Sequence, residues 1–66
     1  MVKYLIWCFS DTRKEYETFS EQKAEGIYAD AKNSGRYSSV VVRKEGRLRG
    51  YAIKSWSEKD GEVWHH

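Results

Sequence analysis

The stretch VVVRKEGRLRGYAIKSW, residues 40–56, has the form of two β-strands joined at a Glu45-Gly46 turn. Apolar β-branched and aromatic residues lie on both sides of that turn, a pattern typical of a β-hairpin. The pattern predicts strands over residues 37–44 and 47–56. One face of such a hairpin suits packing under a helix.

The length of the turn decides which residues of the hairpin pair and which share one side of the sheet. A two-residue turn pairs Val42 with Arg49 and Val40 with Tyr51. A three-residue loop with a bulge would shift this pairing. The face expected to pack under a helix contains Val40, Val42, Tyr51 and Ile53. The opposite face contains Tyr37, Val41, Leu48, Ala52 and Trp56, with Arg43 and Lys54 among them.

Three segments precede the hairpin. Residues 2–9 are nearly all apolar, with β-branched and aromatic types, which predicts a strand that is covered on both faces or lies in the centre of a sheet. Residues 10–17 are polar and are expected to form a connection. Residues 20–34 have apolar residues at helical spacing, with Ser20 as the expected N-cap and Gly35 as the expected C-cap.

The order β-α-β-β predicts a two-layer α+β domain with one mainly antiparallel sheet and a single helix packed on one face. Residues 58–66 are expected either to add a short fourth strand or to form a frayed tail. Residues 1–66 together make one small domain. A chain of this size buries only about 60% of the surface that its unfolded form exposes. The single cysteine, Cys8, excludes an internal disulfide, so self-association is the most economical further source of stability.

Composition and motifs narrow the class of function. The chain is 39% hydrophobic and 33% charged, which is typical of a folded globular domain. No apolar run approaches the roughly 20 residues of a membrane span, and no signal-peptide cleavage site is evident, so we expect a cytoplasmic protein. Cys8 and the pair His65-His66 do not form a spaced metal site, and no paired carboxylates or glycine-rich phosphate loop are present. We therefore expect no enzyme activity, cofactor or metal.

The positive charge of the chain is concentrated in the hairpin, at residues 43–49. Four basic residues and the single acid Glu45 give this segment +3, whereas the rest of the chain carries −1. The basic residues are Arg43, Lys44, Arg47 and Arg49. One interpretation is contact with nucleic-acid phosphates. The other is a solvated turn whose charges keep a sheet edge from aggregating.

A single helix covers only one side of a sheet, so the other side is expected to present an aromatic and apolar surface to a partner. The alternative is that a fourth strand, the 10–17 connection or Trp64 folds over that side as ordinary core. The predicted partner-binding residues are Tyr37, Val41, Arg43, Lys44, Arg47, Leu48, Arg49, Trp56 and Trp7.

These features predict a small non-catalytic protein that acts through protein–protein interaction and self-associates through its uncovered aromatic face. An inhibitor or adaptor of the type that phages and mobile elements carry fits this description. One alternative is a nucleic-acid-binding module that uses the basic hairpin at residues 43–49. A minor alternative is a sponge for anionic small ligands, formed between protomers, in which arginines hold the anion.

Overall fold

A computed structural model describes residues 2–65, which form one five-stranded antiparallel sheet with a single helix on one side. The elements in chain order are β1 (Lys3–Phe9), β2 (Arg13–Thr18), α1 (Glu21–Asn33), β3 (Ser39–Glu45), β4 (Gly50–Ser57) and β5 (Gly61–Trp64). The strand order across the sheet is β2-β1-β3-β4-β5. The predicted α+β class, with one helix packed on a mainly antiparallel sheet, is confirmed.

The strand β2 (Arg13–Thr18) takes up the second half of residues 10–17, which the sequence predicted to be a connection, and ends one residue beyond them. It is an edge strand, and among the strands of the described part of the chain it pairs with β1 alone. Its sequence, RKEYET, is mostly charged and exposed, so it lacks the apolar alternation that identifies a half-buried strand. Charged side chains on an edge also oppose pairing with a further strand.

For residues 58–66, the sequence allows either a short further strand or a frayed tail. The structure has the strand β5 in this segment. Gly61 begins this strand with φ of +75°, a backbone conformation that favours glycine. The predicted domain spans residues 1–66, and the predicted C-terminal segment spans residues 58–66. Met1 and His66, at the ends of these ranges, lie outside the residues that the structure describes.

The helix α1 begins where the sequence predicted. The Ser20 side chain accepts a hydrogen bond of 3.2 Å from the Lys23 backbone N–H, which makes Ser20 the N-cap. Ser34, rather than Gly35, is the C-cap, and its N–H donates to the carbonyl of Ala31. Gly35 follows with φ of +75°.

The hairpin has a longer turn than predicted. β3 ends at Glu45 and β4 begins at Gly50, so four residues, 46–49, connect them. The Gly46 N–H donates to the carbonyl of Arg49 over 3.0 Å and closes the loop. A two-residue turn of the favoured type needs positive φ at its first central position, which would be Glu45, and no non-glycine residue among 2–65 has positive φ.

The longer turn and a β-bulge between Val42 and Arg43 change the pairing of the hairpin. Val42 pairs with Lys54 and Val40 pairs with Trp56, so the predicted partners Arg49 and Tyr51 are wrong. Because side chains alternate along a strand, this shift brings Lys54 and Trp56 to the helix side of the sheet.

The core lies between α1 and the strands β1 and β3. Its buried members are Tyr4, Ile6, Cys8, Ala24, Tyr28, Ala31, Val40 and Val42. The predicted burial of Val40 and Val42 is confirmed, and Ile53 is partly buried against the core, but Tyr51 is 53% exposed. Tyr37 and Trp56, expected on the uncovered face, pack against this core instead.

Candidate binding face

The side of the sheet opposite α1, here called the open face, has no helix over it within residues 2–65. Strand alternation places Trp7 near its centre, in a row with Glu15 of β2 and Val41 of β3. Ser55 and Val63 continue this row on β4 and β5. Of the predicted partner-binding residues, Trp7, Val41 and Arg43 lie on the open face.

The indole ring of Trp7 is held by contacts from three strands. Its Nε1–H donates a 2.7 Å hydrogen bond to Glu15 Oε1. The Cζ atoms of Arg13 and Arg43 lie 4.9 Å and 5.0 Å from the ring centroid. The ring of Phe9 meets it edge-on, with centroids 6.4 Å apart. Guanidinium groups at this distance are attracted to the ring electrons, so Trp7 and the two arginines form one aromatic-cationic cluster.

The charges of the open face balance. Lys3 pairs with Glu17 across 3.4 Å, and Arg43 pairs with Glu45 across 3.3 Å. The remaining charged residues are Arg13 and Glu15, one of each sign. The open face is therefore a mixed surface of neutral net charge and differs from the basic patch typical of nucleic-acid contacts.

The predicted basic cluster of the hairpin is divided between the two sides of the sheet. Arg43 lies on the open face in contact with Trp7. Lys44 lies on the helix side, where it pairs with the buried Tyr4 of β1. The two side chains therefore cannot act together on one flat ligand.

The other two basic residues of the predicted cluster lie in the 46–49 loop. Arg47 and Arg49 are both exposed there, and neither forms an ion pair within residues 2–65. Leu48 between them is 94% exposed, so it lies at the end of the sheet and not on its uncovered face. These three residues are called the basic tip.

A buried polar network on the helix side involves Lys54, which sequence reasoning placed on the opposite face. Lys54 is 5% exposed, and its ammonium is hydrogen-bonded to the carboxylate of Glu25. Its Nζ lies 4.5 Å from the ring centroid of Tyr28 and 4.7 Å from that of Trp64. No local sequence pattern indicates these contacts, because Glu25 is 29 positions away and the bulge determines the face.

The network continues through Glu62 on β5. Glu62 accepts hydrogen bonds from the Tyr28 hydroxyl at 2.8 Å and from the Trp64 indole at 3.1 Å, and it pairs with Lys32 across 3.4 Å. The Tyr28 hydrogen bond is the main cause that holds the pKa of Glu62 below its ordinary value. Burial, followed by the hydrogen bond to Glu62, raises the pKa of Tyr28. The network joins α1 to β4 and β5, which lie beyond the part of the sheet that the helix covers.

A groove of approximately 310 Å³ lies beside this network, between the first half of α1 and strands β3 to β5. Val42 and Ile53 line its apolar part. Tyr51 and Trp64 also line it and are 53% and 56% exposed.

The low pKa of Glu62 predicts acid sensitivity that depends on Tyr28. A carboxyl whose pKa is lower in the folded state stabilises the fold above its unfolded pKa, and this contribution is lost as the pH falls through the folded pKa. Tyr28→Phe removes the hydrogen bond that is the main cause of the low pKa of Glu62. We therefore expect the free energy of unfolding of this variant to depend less on pH below about 5. Urea unfolding between pH 3 and 7, read by circular dichroism, measures this. The control is Tyr51→Phe, whose hydroxyl forms no hydrogen bond within residues 2–65. If the free energy of unfolding of the parent and of Tyr28→Phe depends equally on pH, the Tyr28 hydrogen bond does not hold the pKa of Glu62 low.

The cysteine of the chain lies in the core between α1 and the sheet. Cys8 is fully buried, and burial raises the pKa of its thiol, which disfavours the reactive thiolate. Among residues 2–65, no group of three or more His, Cys, Asp or Glu side chains is placed to hold a metal ion. The helix within residues 2–65 is neither long nor apolar enough to cross a membrane.

Comparison of the chain with protein-family models, with curated proteins and with solved structures found no match.

Proposed function

We propose that this protein is a small non-catalytic binding protein and that it acts through a protein–protein contact made by its open face. The observation that carries the proposal is the cluster of Trp7 with Arg13 and Arg43 near the centre of a sheet face that no helix covers. Tryptophan and arginine are the residue types most enriched among those that dominate binding energy at protein interfaces. An inhibitor or adaptor, such as phages and mobile elements carry, would act in this way by occupying a partner's surface.

The chemistry of the cluster favours a protein over a nucleic acid on this face. Base stacking needs a free aromatic face, whereas two guanidinium groups already lie close to the ring of Trp7. Phosphate binding needs an excess of cations, whereas this face is neutral overall. A mixed set of arginines, glutamates and apolar groups fits a protein surface of similar composition. The buried, unpaired Cys8 fits a reducing compartment, and we propose the cytoplasm as the site of action.

Site-specific photo-crosslinking in cells that express the protein tests the proposal. A benzophenone amino acid replaces Val63, which lies on the open face and is 43% exposed. The control carries the same probe at Lys23, an exposed position of α1. We expect covalent protein adducts from position 63 and not from position 23, whether the adduct contains a second copy or another protein. No adduct from position 63, or equal adducts from both positions, would overturn the proposal.

The basic tip favours a second candidate, contact with nucleic-acid phosphates. Its support is that Arg47 and Arg49 are exposed and form no ion pair within residues 2–65. Under this alternative, the double variant Arg47→Glu/Arg49→Glu loses binding to oligonucleotides. The parent's affinity also falls about tenfold or more between low and moderate salt. The matched control, Lys23→Glu/Lys59→Glu, has the same change in charge away from the tip. A tip variant that binds like the parent rules this candidate out.

A further inference from the structure

A further cavity, here called the rim cavity, lies on the helix side of the sheet, away from the open face. Its volume is approximately 270 Å³. It lies where three parts of the chain meet, namely the second half of α1, the edge strand β2 and the 34–38 loop. The residues that line it are Tyr16, Ile27, Asp30, Ala31, Arg36 and Tyr37.

The rim cavity has an apolar floor beside two aromatic rings. Ile27 and Ala31 are four positions apart in α1, so they are neighbours on one face of the helix. Tyr16 and Tyr37 are partly buried and pack against the core. An apolar side chain of a ligand can therefore leave water here without displacing any part of the fold.

The loop that contributes Arg36 and Tyr37 is held at both ends. The Arg36 N–H donates a 3.2 Å hydrogen bond to the Ser34 hydroxyl. The Ser38 N–H donates a 2.8 Å hydrogen bond to the carbonyl of Phe9. The backbone between these points is thus fixed before any ligand binds, and a site that is already ordered loses less entropy on binding.

Asp30 and Arg36 bring opposite charges to the rim cavity. Both are exposed, and neither forms an ion pair with a residue among 2–65. They line the same space without pairing with each other, and a sphere of that volume is only about 8 Å across. A small ligand in this space can therefore reach both charges at once.

Lys14 of β2 adds a second cation near Arg36. Its Nζ lies 5.4 Å from the ring centroid of Tyr16. The hydrogen bond to Tyr16 is the main cause that raises the pKa of Lys14, and the positive charge of Arg36 opposes this rise, so the two cations lie close together. The positive end of the rim cavity is thus the stronger one, and it favours a carboxylate.

We propose that the rim cavity binds a free α-amino acid with an apolar side chain. Arg36 holds the carboxylate, since a guanidinium group can donate two parallel hydrogen bonds to it. Asp30 holds the ammonium, and the side chain of the ligand lies against Ile27 and Ala31. The inference is independent of the proposed function, because the rim cavity and the open face lie on opposite sides of the sheet.

The expected affinity is modest. An amino acid such as leucine has only about nine non-hydrogen atoms, and both charged residues of the site are exposed to water. We therefore expect a dissociation constant of about 0.1 to 1 mM.

Titration of the full, ¹⁵N-labelled chain with L-leucine or L-phenylalanine, followed by NMR, tests this inference. We expect the amide signals of Ile27, Ala31 and Arg36 to shift and to saturate by about 20 mM ligand. The comparison ligand is 4-methylpentanoate, which is leucine without its ammonium group. We expect it to bind about threefold more weakly than leucine, because it cannot pair with Asp30.

Two variants separate the roles of the charges. Arg36→Gln is expected to weaken the binding of both leucine and 4-methylpentanoate at least about fivefold. Asp30→Asn is expected to weaken leucine about threefold and not to weaken 4-methylpentanoate. The matched controls, Lys59→Gln and Asp60→Asn, make the same changes in charge in the turn between β4 and β5, near the other edge of the sheet. They are expected to bind like the parent, and the NMR spectra verify that every variant is folded.

Each other outcome overturns the inference. If neither amino acid shifts these signals, the rim cavity binds no ligand of this class. If Arg36→Gln binds leucine like the parent, the carboxylate is held elsewhere. If 4-methylpentanoate binds the parent as tightly as leucine does, the site recognises simple carboxylates and not amino acids.

Discussion

Replacing Lys54 with glutamate is expected to lower the free energy of unfolding by about 3–5 kcal/mol. The Lys54 ammonium is buried, is bonded to Glu25 and lies over the rings of Tyr28 and Trp64. A carboxylate in its place would face the like charge of Glu25 and the negative faces of both rings. A domain of this length has a total stability of about 3–10 kcal/mol, so the variant is expected to be partly or fully unfolded at 25 °C.

Lys54→Met is the matched control, because it keeps an unbranched apolar side chain, one atom shorter than that of lysine, and removes the ammonium group. The carboxylate of Glu25 is 48% exposed, so water can hydrate it once its partner is gone. Replacement of a buried ion pair by apolar groups is often close to neutral, and we expect a change of about 1 kcal/mol here. Urea unfolding of the three proteins, followed by circular dichroism, measures both values. If Lys54→Glu is as stable as the parent, Lys54 is not buried in solution.

Truncation of two consecutive valines is expected to give very different results. Val42 is 1% exposed in the core, and Val42→Ala is expected to cost about 2–3 kcal/mol. Val41 is half-buried on the open face, so Val41→Ala is expected to cost no more than about 1 kcal/mol when measured at low protein concentration. The chemical change is identical at the two positions, and only the side of the sheet differs.

The same unfolding measurement decides the face assignment of β3. Measurement at low protein concentration limits self-association, so the result reports the core of the single chain. The decisive quantity is the loss in free energy of unfolding caused by Val42→Ala divided by the loss caused by Val41→Ala. Equal losses would show that both sides of β3 are equally covered in the monomer, and the open face would no longer be open.

The fold class could be predicted from the sequence because its signals are local. Helical spacing and the Ser20 cap define α1, and the apolar run of residues 2–9 defines the central strand. Each depends on neighbours within one or two turns or along one strand. The strand β2 was missed because an exposed edge strand needs no apolar pattern of its own.

The candidate site could be predicted only in part, because the β-bulge between Val42 and Arg43 decides which side of the sheet the residues of β4 face. The uncovered side of the sheet follows from having a single helix, and Trp7 and Val41 were placed on it correctly. Beyond the bulge at Val42, the faces of Lys54 and Trp56 were reversed, since a change of one residue in register exchanges the two sides of a strand. The arginine contacts of Trp7 come from two neighbouring strands, and one of these strands had not been predicted.

The strand order has a consequence for the speed of folding. Strands β1 and β2 are consecutive in the chain and adjacent in the sheet, and so are β3, β4 and β5. Only the pairing of β1 with β3 joins segments that are distant along the chain. Each group can therefore form from local contacts, and the entropy of closing a long loop is lost only once. We expect the docking of β1 against β3, with α1 closing over the junction, to be the rate-limiting step of folding.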